Sequence, residues 1–447
     1  MKFEEPKNSN YCATVVSLKT FVDLPNCDFI KSAIIFGNSV IVSKDVKAGD
    51  VGLFFPVECQ LSKEFLSNNN LYRKPEWGNV DPTKSGFFEN HGRIKCVRFR
   101  THKSEGFWIP LTSLLFVTPH LDFPEGATFD CLQISSCSSD PTDHFIEICR
   151  KYVPKGNNSG GPNHVKGDSL LKVRLVEGQF HFHQDTENLK KNIHKIHPDD
   201  IVSISDKWHG TSAIFSNILV NRKLSFIEKL LSKFGVTVQK TDYSLVYSSR
   251  KVIKSVTGPS FDSTDIWNQV ALEIQDRIPK GYSIFGEIVG YLLSGKAIQS
   301  APGGKPYHYG CDPGLHGFFV YRVTSTNPDG KIIELSWPQM KEFCIKYGFE
   351  MVKELYYGKA VHFCLWDKDC TSDDEWQKAF LKEIESQFVH DQDCEYNSGL
   401  PAEGVVVHLD HLEGSESYKM KNFRFLESES KSLDSGEIDI ETIESEE

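Results

Sequence analysis

No apolar run in this 447-residue chain approaches the ~20 residues that a membrane-spanning helix needs. The first residues, Met1-Lys2-Phe3-Glu4-Glu5-Pro6, have no apolar core of the kind that marks a secretory signal. A chain lacking both is expected to be soluble and intracellular, with no membrane partner. No Cys-x-x-Cys pair occurs among the 12 cysteines, and their scatter over a long chain fits neither a zinc ribbon nor a disulfide scaffold. They read as buried thiols of a reducing compartment. His181, His183, His194 and His197 cluster without a cysteine near them, so no structural metal is assigned there. Ala301-Pro302-Gly303-Gly304-Lys305-Pro306 is glycine-rich, but a P-loop needs Ser or Thr where Pro306 stands. No Gly-x-Gly-x-x-Gly opens a helix after a strand, and no internal repeat is visible.

What is present is ample core material. Hydrophobic residues make up 39% of the chain and aromatic residues 12%, enough for roughly two or three domains. The formal charge of −11 is unevenly spread. Residues 427–447 hold nine acids against Lys431, a net −8 that leaves only −3 for the rest. This stretch is expected to be a disordered acidic tail. Positive charge gathers at 222–254, net +6, and at 93–103, where Arg93, Lys95, Arg98, Arg100 and Lys103 meet no acid. Local fields of that sign attract phosphate backbones.

Residues 1–153 read as a small β-barrel of the OB-like kind that binds nucleic acid. Short alternating strands at 32–36 and 39–43 flank a Gly37-Asn38 turn, a strand follows at 50–56, a short helix at 61–66, and a strand at 93–100 interleaves bases with apolar residues. The Gly, Asn and Pro density after Pro154 places a linker at 154–166. Residues 167–426 read as an α+β domain of antiparallel sheets. Helices are expected at 338–348, ended by Gly348, and at 373–388.

The chemistry-bearing residues lie in that second domain. Ser205-Asp206-Lys207-Trp208-His209-Gly210-Thr211-Ser212 sets a lysine at a strand end before a tight glycine turn. A neutral amine nucleophile needs burial or neighbouring cations to shed its proton, although a lone lysine at a β-turn is more often simply solvated. Five further signals follow in order. Arg250 closes Ser248-Ser249-Arg250; Glu287 stands between glycines in an apolar strand; His316-Gly317-Phe318-Phe319-Val320-Tyr321 is aromatic; Glu403 heads a strand; and Lys419 and Lys421 share a strand face.

Together these segments resemble the six ordered motifs of the covalent nucleotidyltransferases, whose catalytic domain carries ATP-grasp-like antiparallel sheets. His209, where DNA ligases and capping enzymes carry Asp, makes the chain similar to RNA ligases. The N-terminal segments Gly49-Asp50-Val51-Gly52 and Gly92-Arg93-Ile94-Lys95 resemble the module that precedes Deinococcus-type nick-sealing RNA ligases. One departure is Leu189, where an arginine is usual upstream of the nucleophile. The resemblance implies that Lys207 is the AMP-carrying nucleophile and that Lys419 and Lys421 neutralise the α-phosphate. It implies that Asp206, His209, Gly210, Ser212, Arg250, Glu287 and Phe318 bind ATP, Phe318 by stacking on adenine. It further implies that Glu403, with Glu287, holds Mg2+ or Mn2+. The implied partner is RNA in a nicked duplex or an RNA/DNA hybrid, joined by a monomer. DNA ligation, guanylyl transfer in capping and RNA binding without catalysis are the alternatives.

Overall fold

The computed structural model describes residues 5–133, 145–154, 174–256, 265–364, 372–410 and 416–436. The chain divides into two compact units, Met1–Val153 and Pro154–Glu447. The expected linker falls almost wholly outside the described residues.

In the first unit the strand Ala13–Ser17 pairs with Val51–Phe55 on one side and Thr128–Phe129 on the other, and Phe107–Pro110 completes four strands. A second sheet joins Thr20–Asp23, Ile30–Ile35 and Asn38–Ser43. The expected barrel is not what forms: among the described residues the remaining strands pair off separately and no sheet closes on itself. Leu53, Phe55, Phe65 and Phe129 fill the core against the helix Lys63–Asn68, which Ser62 caps through the Phe65 N–H. The hairpin turn sits one residue earlier than expected, at Phe36-Gly37. Both have positive φ, and Ile35 faces Asn38 across it. The 93–100 segment is extended as a strand only over Val97–Phe99, hairpinned to His102–Ser104. Arg93 is buried over the Tyr152 ring, 5.0 Å from its centroid, so it does not belong to a solvent-facing basic surface.

The second unit holds two larger sheets. One has five strands in the order Glu187–Asn188, Glu416–Lys421, Gly404–Leu409, Ile201–Lys207, Glu354–Lys359. The other runs Ile253–Ser255, Thr241–Ser248, Thr211–Asn221, Tyr282–Gly290, His316–Thr326, Ile332–Glu334, with Glu350–Met351 pairing in parallel beside His316–Thr326. Trp376 and Phe380 of the helix Asp373–Ile384 cover one face of the first sheet. Helices Ile266–Ile274 and Trp337–Tyr347 cover one face of the second. Deleting a ring such as Trp376 would cost about 3–5 kcal/mol. Gly348 stops its helix in the left-handed conformation at φ 72.

The acidic tail departs from expectation. Residues Phe423–Asp434 form a helix capped by Asn422, with Phe423, Phe425 and Ser430 buried. Apolar anchors at its start fix a segment whose charge alone suggests disorder; residues 437–447 lie outside the described ones.

Candidate active site

Strand register assembles the charges. Val202 and Ile204 turn into the core with Trp376 and Phe380, so Ser203, Ser205 and Lys207 project from the opposite face. Across the sheet Lys207 pairs with Gly404 and Gly404 with Lys421, while Ser205, Val406 and Lys419 form the next row. Directly paired residues share a face, so one surface carries all three lysines. Gly404 is required there. At its φ of 143 a Cβ would lie 2.1 Å from the Met420 carbonyl oxygen.

Glu403, the residue before it, is 4% exposed and sits among those lysines. Its Oε1 lies 2.7 Å from Lys207 Nζ and 3.5 Å from Lys421 Nζ. Burial pushes its carboxyl up, but the charges of Lys207, Lys421 and His209 outweigh that and hold it at about 2. Glu403 Oε2 is buried with no hydrogen-bond partner. The Lys419 ammonium is lowered to about 7 by burial and then by Lys421, Lys207 and Arg250.

The second sheet braces the turn after Lys207. Ser212 pairs with Glu287 across the strands. The Gly210 N–H donates to Glu287 Oε1 at 3.1 Å, and the Ser212 hydroxyl donates to Oε2 at 3.4 Å. A Cβ on Gly210 would stand 2.3 Å from the Ile288 carbonyl oxygen, so only glycine lets the turn approach this closely. Gln299 donates to the Gly210 carbonyl at 2.9 Å. The His209 N–H donates to Tyr309 Oη at 2.7 Å, and its ring stands edge-on to Tyr307 and Phe425. Burial lowers the His209 imidazole below its ordinary range. Arg250 pairs with Asp185 beside His183, whose imidazole is lowered to about 3 by burial and the Arg250 charge.

Two expected site residues lie elsewhere. Asp206 alternates with Lys207 and faces the other side of the sheet, where burial pushes its carboxyl up to about 6 against the pull of Lys353. Phe318 packs into the core beneath Gly286, edge-on to Phe215. Phe319 pairs directly with Glu287 and shares its face, with its ring against Trp208. Sequence reasoning did not place His183, Asp185, Tyr309, Phe425 or Glu429 at this site. The Phe423-Arg424-Phe425 spacing at the head of the acidic stretch was the one visible signal for the last two.

Among the described residues no group of three or more His, Cys, Asp or Glu forms a metal cage, the histidine cluster included. Glu403 Oε2, buried and without a hydrogen-bond partner, could serve as a single carboxylate donor to a divalent cation that keeps most of its waters. Both Glu287 oxygens are engaged by the turn.

The RNA ligase family model matches residues 200–421. No curated protein matches the chain. Solved structures do. A Naegleria gruberi RNA ligase mutant with AMP and Mn shares 12% identity at a TM-score of 0.55, covering 94% of this chain and 99% of that one. A second mutant of the Naegleria gruberi ligase, with ATP and Mn, shares 14% at 0.54 over 94% and 99%. The same ligase with PPi shares 13% at 0.52 over 93% and 97%. At such identities the likeness is one of fold.

Proposed function

We propose, from the premise that residues 200–421 belong to the RNA ligase family, that this protein is an ATP-dependent RNA ligase joining 3′-OH and 5′-phosphate ends. The observation that carries this reading is the convergence of Lys207 and Lys421 on the buried carboxylate of Glu403, with Lys419 in the adjoining row. The Naegleria gruberi ligases of this fold carry ATP, AMP, Mn and PPi, ligands that suit such a cycle.

In the first step the Lys207 amine, once deprotonated, attacks the α-phosphorus of ATP. A P–N bond forms, the α–β anhydride breaks and pyrophosphate leaves. A 5′-phosphate oxygen of RNA then takes the AMP, breaking the P–N bond and returning the amine. Finally the 3′-OH attacks the activated 5′-phosphorus, its proton is lost and AMP departs. Lys419 and Lys421 would neutralise charge growing on the phosphate oxygens. Glu287 holds the Lys-x-His-Gly turn and offers a carboxylate toward the ribose, with Phe319 as the ring on that face. His209 and Arg250 would flank the sugar and phosphates. A hydrated Mg2+ or Mn2+ held by Glu403 would supply further neutralisation of the phosphates.

The substrate we favour is a nick in an RNA duplex or RNA/DNA hybrid. The first unit would act as the nucleic-acid module, tracking a strand with Arg98, Lys103 and the 41%-exposed Phe99 of its hairpin. Incubation with α-labelled ATP and a divalent metal should label the protein, and Lys207→Ala should abolish the label. Label from GTP alone would point to capping chemistry, and no label from either nucleotide to a binding protein. Sealing of RNA-ended but not all-DNA nicks would complete the assignment.

A further inference from the structure

The helix Phe423–Asp434 reaches into the site just built. Lys421 Nζ lies 3.1 Å from both oxygens of Glu429 and 5.2 Å from the centre of the Phe425 ring, as well as 3.5 Å from Glu403. Two of the groups around this ammonium therefore come from the helix and not from the sheet. Phe425 also stands edge-on to the His209 ring at 4.9 Å. Asn422 anchors the helix start: its side chain accepts from the Arg424 N–H and donates to the Gln392 carbonyl. Glu429 keeps about a quarter of its side chain exposed, so it can withdraw without opening the core.

A lysine poised to meet phosphate is thus paired with a carboxylate that phosphate must displace. A carboxylate acts on that lysine in two opposing ways. It fixes the position of a flexible four-carbon side chain, and it subtracts positive potential where a polyanion must bind.

We propose that Glu429 is a positioning residue: it parks Lys421 beside Glu403 until a nucleotide's phosphates displace it, setting ATP affinity against readiness for transfer. This rests on the ligase reading above. The tail helix then belongs to the nucleotidyl-transfer machinery, and the ligand that competes with Glu429 is a nucleoside triphosphate or pyrophosphate.

The test is the KM-against-kcat split for ATP-dependent labelling of Lys207 in the full chain. E429Q keeps the size of the side chain and an oxygen that can accept from Lys421 while removing the charge, and E429A removes both. A partly exposed charge pair of this kind corresponds to about a fivefold effect. We expect E429Q to lower KM for ATP about fivefold, and E429A to lower kcat about tenfold, with much of that loss recovered in E429Q. A generally damaged fold would not tighten ATP binding. Unchanged KM in E429Q, or a higher one, overturns the proposal, as does E429A with wild-type kcat. The wild-type protein in the same assay separates the two claims: if it takes no label, the ligase reading itself fails.

Discussion

Basic residues in the two units of this chain are held in different ways. Around Lys207 they are locked: strand register puts three lysines on one face, and a buried glutamate accepts from two of them at 2.7 and 3.5 Å. In the first unit Arg98 and Lys103 ride on a short hairpin of two three-residue strands, and Arg98 is exposed. The locked set spends burial and close approach to hold charge against charge, which is what bond-making at phosphorus requires. The hairpin set adds to a local positive field, which suits a polymer of phosphates whose register does not matter. Basic side chains of the two sets thus carry unequal chemical information, and what separates them is desolvation.

Several substitutions would break or sharpen that contrast. The largest effect belongs to Glu403→Gln, which leaves Lys207 and Lys421 without their shared carboxylate. Label transfer to Lys207 should fall by roughly two to three orders of magnitude, measured as the single-turnover rate. Gly404→Ala attacks the lock through the backbone. A methyl group 2.1 Å from the Met420 oxygen must push neighbouring strands apart, costing about 2–4 kcal/mol in a denaturant titration.

A subtler effect concerns pH. The folded Lys419 ammonium titrates at about 7, below its ordinary 10.5, so between those values the unfolded chain holds more proton and stability rises with pH. Lys419→Met should therefore melt higher than wild type at pH 7, with the gap narrowing toward pH 10. A constant gap would contradict the buried-cation account. The smallest effect is expected from Arg98→Gln with Lys103→Gln. Lys207 labelling should be untouched, while RNA affinity weakens uniformly across sequences and its salt slope shrinks by about 2. A sequence-selective loss would mean that the hairpin reads bases after all.

The candidate residues were readable in the sequence only as an ordered set: six segments in the order of the nucleotidyltransferase motifs carry a resemblance that a lone lysine at a turn does not. Their neighbours were harder. Phe318 and Phe319 are both apolar, and which one shares the face of Glu287 depends on strand parity and on the bulge that lets Phe285 meet Arg322 while Gly286 meets Val320. Asp206 could have been excluded, since alternation sends it away from Lys207 whatever the fold. Arg93 looked solvated because its aromatic partner Tyr152 lies 59 residues away in the chain. The tail was judged by its net charge alone, without the apolar anchors Phe423 and Phe425 just before it or the inward pairing of Glu429 with Lys421. In the first unit the strands were mostly visible but their closure was not, because short strands can pair into separate sheets as readily as into a barrel.

The central claim is a covalent bond at one nitrogen, and peptide mapping by mass spectrometry after incubation with ATP and Mn2+ tests it most directly. The account predicts a single AMP on the peptide containing Lys207, removable by pyrophosphate. An adduct on Lys419 or Lys421 in its place, or none on any lysine, would contradict it.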